Sequence, residues 1–242
     1  MNGDFERAAA LAAAHPDTAG IGGLQEKTLH RVIKFLIDEN PAHHEVPLIG
    51  KIVADIYDGE QVYEIQNGNF SAFCKKLERL LPVYPVTVIY PYVREKQVVW
   101  IHPANGDTTP PRKSPKRGTV LDTLPELAFI KDLLFTDTLT VWLLPVDVIE
   151  YRTADGWSAD GKRGSHRAER IPTAVGEVTA VTAPADIAAM FAGLPEVFTT
   201  ADIKKITRRK GRRLSAILYL LKGSGLIQPV GKQGNAIQYK FV

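Results

Sequence analysis

Residues 45–66 read EVPLIGKIVADIYDGEQVYEIQ, and they constrain the fold more than any other stretch of the chain. Two apolar-rich runs flank Asp58-Gly59, a dipeptide suited to the tight turn of a β-hairpin. The first run ends near Tyr57 and the second starts near Gln61. Each carries an embedded acid, Asp55 in IVADI and Glu64 in VYEIQ. Side chains alternate faces along a strand, so Glu64 and Gln66 share a face. Pairing residue 57 with residue 62 sets Asp55 opposite Glu64. Like charges directly opposite each other repel. A cation between them removes that cost, and ligands made only of oxygen suit magnesium or manganese.

An acid on one strand, a short turn, and Glu-x-Gln or Glu-x-Lys on the next resembles the PD-(D/E)xK nuclease superfamily. Here the acid is Asp55 and the second half is Glu64-Ile65-Gln66. Gln66 stands where most members have Lys, and Ala54 stands where Pro usually precedes the Asp. The resemblance covers roughly residues 24–101. It implies an α/β fold, a restriction-endonuclease-like mixed sheet flanked by helices. It also implies Mg2+ or Mn2+ held by Asp55, Glu64 and the backbone carbonyl of Ile65, and hydrolysis of phosphodiester bonds in DNA. Gln66 would orient the attacking water but is not basic, so metal-bound hydroxide would have to serve. In that superfamily the helix before the hairpin often carries a Glu that reaches the metal. Glu26 is the candidate by position. Glu45, at the start of the first strand, is the other, and His30, one turn after Glu26, is a third. Glu26 reads equally well as a solvated acid in a first helical turn, where the helix dipole favours it.

The flanking elements follow the order strand, strand, helix, strand. Leu29, Val32, Ile33 and Leu36 repeat at helical spacing within a helix over 24–37. Phe73, Leu77, Leu80 and Leu81 do the same over 70–81, and Cys74 fits that stripe as a packed thiol. VTVIY at 86–90 reads as a buried central strand, and QVVWI at 97–101 as a further strand after a turn at Arg94-Glu95-Lys96. Residues 103–118 read as a long loop holding Arg112, Lys113, Lys116 and Arg117, either a clamp for a phosphate backbone or a solvated excursion. Residues 121–134 look helical. Residues 139–150 form a strong strand pattern that Pro145 should push to an edge or a bulge. In the polar segment 152–170, Lys162, Arg163, His166, Arg167 and Arg170 could track an anionic strand, and Trp157 could stack on a base or simply pin the loop to the core.

Residue 184 reads as a boundary between a nuclease-like domain, 1–183, and a small domain, 184–242. Three helices and then a hairpin resemble the winged-helix group. The charge supports that division. From residue 195 on there are ten Lys or Arg against two acids, while the whole chain is only +3. Such asymmetry points this end toward nucleic acid. Arg208, Arg209, Lys210, Arg212 and Arg213 cluster at the start of the expected recognition helix, and Lys232 tops the wing. The alternative is a winged helix used for protein contacts.

Other classes find little support. One cysteine excludes an intramolecular disulfide, and it fits a reducing, cytoplasmic setting. No apolar run approaches the ~20 residues of a membrane helix. Neither a phosphate-binding glycine loop nor a G-x-S-x-G elbow occurs. The reading is a metal-dependent endonuclease acting on duplex DNA, with a homodimer favoured for cutting both strands. Its rivals are an inactive nuclease-like domain that binds nucleic acid, and a winged-helix transcriptional regulator whose large domain senses a small ligand.

Overall fold

The computed structural model describes residues 2–15, 28–153 and 166–242. Helices α1 (Asn2–Ala14) and α2 (Thr28–Ile37) lead into strands β1 (His44–Pro47), β2 (Val53–Tyr57) and β3 (Val62–Ile65). Then come α3 (Phe70–Leu80), the long β4 (Val86–Ile101), the short β5 (Arg112–Lys113), α4 (Leu124–Leu127), and the long β6 (Leu139–Thr153). Strands β7 (His166–Val175) and β8 (Thr179–Val181) close this part. The C-terminal part runs α5 (Pro184–Ala189), β9 (Phe198–Thr199), α6 (Thr200–Thr207), α7 (Arg212–Gly223), β10 (Ile227–Gln233) and β11 (Ala236–Phe241).

The main sheet is mixed and flanked by helices. Its order is β1-β2-β3-β4-β6-β7, with β5 paired to β4 and β8 to β6. The β3–β4 and β4–β6 pairs are parallel, and the others are antiparallel. Period-two alternation feeds two apolar layers. Val86, Val88, Leu139, Val141 and Leu143 face α3 and α4, while Ile89, Leu144, Val146 and Val148 face α1 and α2. The first layer continues without a break into the C-terminal part through Ile217, Leu220, Leu221 and Tyr239. The boundary expected at residue 184 coincides with the start of α5, but the two sides share one core.

Several expectations need correcting. The strands expected at 86–90 and 97–101 are one strand, β4, and Arg94-Glu95-Lys96 lies inside it rather than in a turn. Pro91 is tolerated because β3 ends its pairing at Ile89, so the missing N–H costs no ladder bond on that side. Pro145 lies in an interior strand instead of at an edge. It sits in the gap where β8 pairing ends at Leu143 and β7 pairing starts at Val146. The helix expected over 121–134 is broken into short turns around α4. Part of the expected loop 103–118 folds back as β5, pairing Lys113 with Gln97 and Arg112 with Val98. Among the described residues, no helix is long and apolar enough to cross a membrane.

Candidate functional site

The hairpin turn is held by Asp58, whose Oδ1 accepts from the N–H groups of Glu60 at 2.9 Å and Gln61 at 2.7 Å. Gly59 takes φ of 103°, a torsion that a side chain would resist. Strands β2 and β3 pair Tyr57 with Val62 and Ile56 with Tyr63. One step further in that register sets Asp55 opposite Glu64. On the other side, β1 and β2 pair His44 with Ile56 and Val46 with Ala54, which sets Glu45 opposite Asp55. The three acids stand in one row across the sheet edge.

Their side chains have different partners. Asp55 Oδ2 accepts from the Ile65 N–H at 2.7 Å and lies 3.1 Å from His30 Nε2 on α2. Glu64 is only 3% exposed, and its Oε2 accepts from Lys76 Nζ on α3 at 2.5 Å. The same ammonium donates to the Val53 carbonyl at 2.8 Å. The other Glu64 oxygen, Oε1, is buried without a hydrogen-bond partner. Glu45 takes φ of 52°, and its exposed carboxylate pairs with the buried Lys34 on α2. Gln66 donates its side-chain amide to the Gly68 carbonyl, which ties it to its own loop. Glu26 lies outside the described residues. Among the described residues, no three His, Cys, Asp or Glu side chains form a group able to hold a metal ion.

Burial, and then the neighbouring Asp55 charge, push Glu64 up to about 7 despite Lys76. Asp55 moves the other way. Burial raises it, but the His30 hydrogen bond and charge, the Ile65 N–H and Lys76 together outweigh burial and leave it below the usual carboxylate range. The two adjacent carboxyls therefore protonate over different pH ranges. At neutral pH, Asp55 carries the charge while Glu64 exchanges a proton.

The expected nucleic-acid contacts fall in two places. Arg208 and Lys210 are exposed between α6 and α7, Arg212 and Arg213 are exposed at the start of α7, and Lys232 is exposed on β10. Arg209 pairs instead with Asp122 just before α4. In the second place, Arg112, Lys113, Lys116 and Arg117 are exposed beside β4, and Glu95 bridges Lys113 at 2.8 Å and Arg117 at 2.9 Å.

Two features escaped sequence reasoning. Lys76 sits at the margin of the α3 apolar stripe, one position before Leu77, where a lysine reads as solvated. Glu150 lies within β6 and is fully buried, with Lys96, Arg152 and Arg170 all on its carboxylate. The one legible trace was a Glu in a strand built mostly of apolar residues.

Residues 27–182 match the model of a family described as a domain of unknown function, DUF8091. The chain belongs to this family. The DUF8091 span takes in α2, the acidic hairpin, α3 and the whole main sheet from β1 to β8, and stops just before α5. The chain is also similar to an uncharacterized protein of Treponema pallidum (strain Nichols), 23% identical over 227 residues, covering 91% of this chain and 87% of that one. No solved structure matches.

Proposed function

We propose that this DUF8091 protein is a metal-dependent endonuclease that hydrolyses phosphodiester bonds in DNA at the Asp55–Glu64 pair. The observation that carries this reading is Glu64 Oε1. A buried carboxylate oxygen without a partner, beside a second acid, is costly unless a proton or a cation joins it, and a metal ion is the cation this reading supplies. The donor set fits Mg2+ or Mn2+ there, because Asp55, Glu64 and the adjacent Ile65 carbonyl offer oxygen alone. A bound ion would acidify a water and offset negative charge on the phosphate. His30 orients Asp55, and Lys76 brings to Glu64 the ammonium that Gln66 does not provide. The C-terminal order of helix, strand, two helices and hairpin resembles that of a winged helix, with exposed cations at the start of α7. That supports duplex binding, and two copies of the chain would serve both strands. The lone free thiol, Cys74, is in keeping with the cytoplasm.

A second reading is an inactive nuclease-like domain that binds nucleic acid. Its support is that Lys76 and His30 already give each carboxylate a cationic or hydrogen-bonding partner. Cleavage of supercoiled and single-stranded DNA with magnesium, manganese or EDTA separates the two, comparing wild type with Glu64→Ala. Metal-dependent nicking lost in the variant is the expected result. Equal activity in both proteins would remove the hairpin as the site. Tight binding without cleavage on any substrate would leave the second reading.

A further inference from the structure

The distal halves of β4, β6 and β7 run on past the point where β3 ends, and the 103–118 segment folds along them through β5. An open trough of about 760 Å³ lies on this arm. Six cationic residues line it, Lys96, Arg112, Lys113, Lys116, Arg117 and Arg152, and among the described residues no carboxylate does. Trp100, 40% exposed, lies in its floor. The β4–β6 register pairs Val98 with Glu150 and Trp100 with Arg152, so these four share one face.

Glu150 fixes the cations in place. Its Oε1 accepts from Lys96 Nζ at 3.0 Å and Arg152 Nε at 2.7 Å, and its Oε2 from Arg170 Nε at 2.8 Å. One buried negative charge thus gathers three positive ones, so an excess of positive charge is held in a rigid frame. Glu95 balances only part of Lys113 and Arg117, and Arg112 and Lys116 have no carboxylate partner among the described residues. A second hollow, of about 230 Å³, continues from Arg170 and Arg167 toward Pro91, Tyr92 and Asn67. Asn67 directly follows Gln66, and Leu29, beside His30, lines the same hollow. Glu150 therefore ties Arg152, on the trough, to Arg170, on this second hollow.

We infer that this arm binds a single strand of nucleic acid, its phosphates on the fixed cations and a base stacked on Trp100, and leads that strand toward the Asp55–Glu64 pair. A fixed line of cations tracks a phosphodiester backbone, and an exposed indole between them accepts any unpaired base. A base-paired duplex keeps its bases stacked inside and cannot offer one to Trp100. The final step, toward the acid pair, rests on the nuclease reading; the binding itself does not.

The test is binding of fluorescein-labelled oligothymidylate to the full-length chain in EDTA, followed by anisotropy and by tryptophan quenching. The Glu64→Ala background removes cleavage from the measurement. Affinity should fall steeply with salt. Trp100→Ala should weaken it roughly tenfold and remove most of the quenching. Arg112→Glu with Lys116→Glu, both exposed and unpaired, should weaken it roughly tenfold or more and flatten the salt dependence. Unchanged affinity in both variants would overturn the inference. So would loss of binding only on Arg208→Glu with Arg212→Glu, or competition by polyphosphate at equal phosphate concentration with no quenching. Trough-dependent binding in a protein that cleaves nothing would uphold the inference and end the nuclease reading instead.

Discussion

Glu64→Gln measures what it costs to bury the second acid of the hairpin. The Glu64 carboxyl is 3% exposed and lies at about 7, against 4.5 for a free glutamate. At about 1.4 kcal/mol per pH unit, that gap is worth roughly 3 kcal/mol. The raised value fixes the sign. Between about pH 4.5 and 7 the folded chain binds a proton at Glu64 that the unfolded chain has lost. Stability is therefore full below that window and falls as pH rises through it. Gln cannot ionise, so the variant escapes this loss. It gives up part of the Lys76 bond, about 1 kcal/mol. The variant should match or fall slightly below wild type at pH 5 and exceed it by about 2 kcal/mol at pH 8. The assay is urea unfolding in EDTA at pH 5, 6, 7 and 8, and a thermal scan should show a rise of roughly 4–8 °C at pH 8. A stability difference that stays the same from pH 5 to pH 8 would refute the argument, because it would mean Glu64 titrates as an ordinary glutamate.

Other outcomes follow from the same contacts. Lys76→Met leaves Glu64 without its cation and should cost roughly 1–2 kcal/mol at pH 8 but little at pH 5, checked by the same unfolding series. Glu150→Gln strips the buried anion from three cations and should cost about 3–5 kcal/mol at pH 7. Burial opposes ionisation of Glu150, yet bonds from Lys96, Arg170 and Arg152 hold it at about 2, so wild type should lose this advantage only as pH falls from about 4.5 through 2. Leu220→Ala, fully buried in α7, should cost roughly 2–5 kcal/mol and lower one shared transition. Two separate transitions by calorimetry would contradict the common core.

The acidic hairpin was legible because its signals are local. Asp58-Gly59 marks the turn, and alternation on either side fixes the face of each acid. The register that sets Asp55 against Glu64 follows from those two facts alone. The long strands were not legible, because Pro91 and the charged run 94–96 imitate a turn. What overrides them is parallel pairing with β6, a partner remote in sequence and invisible to any local window. The Lys76 contact was hidden for a related reason. A lysine at the border of a buried helix face can lie in solvent or reach inward, and only the position of β3 decides. Glu45 shows the reverse. The sequence sets it at the start of the strand that carries Asp55, but it lies on the separate strand β1, opposite Asp55, with a positive φ and its carboxylate on Lys34. The steep basic charge after residue 195 was plain from composition, whereas the Arg209–Asp122 pair depends on how α7 docks.

The shared core sets an order on biosynthesis. β4 cannot acquire its main partner until the chain has been made through Thr153, since Val86 pairs with Leu139 and Ile101 with Thr153. Even then one apolar layer stays open until Leu220, Leu221 and Tyr239 arrive. A nascent chain emerging from the ribosome therefore carries an uncovered sheet face for most of its synthesis, in a topology whose non-local pairings close slowly. Stalling or premature termination anywhere between residues 153 and 220 should release a sticky, incompletely covered sheet, and holdase chaperones should engage this chain during translation more than after it.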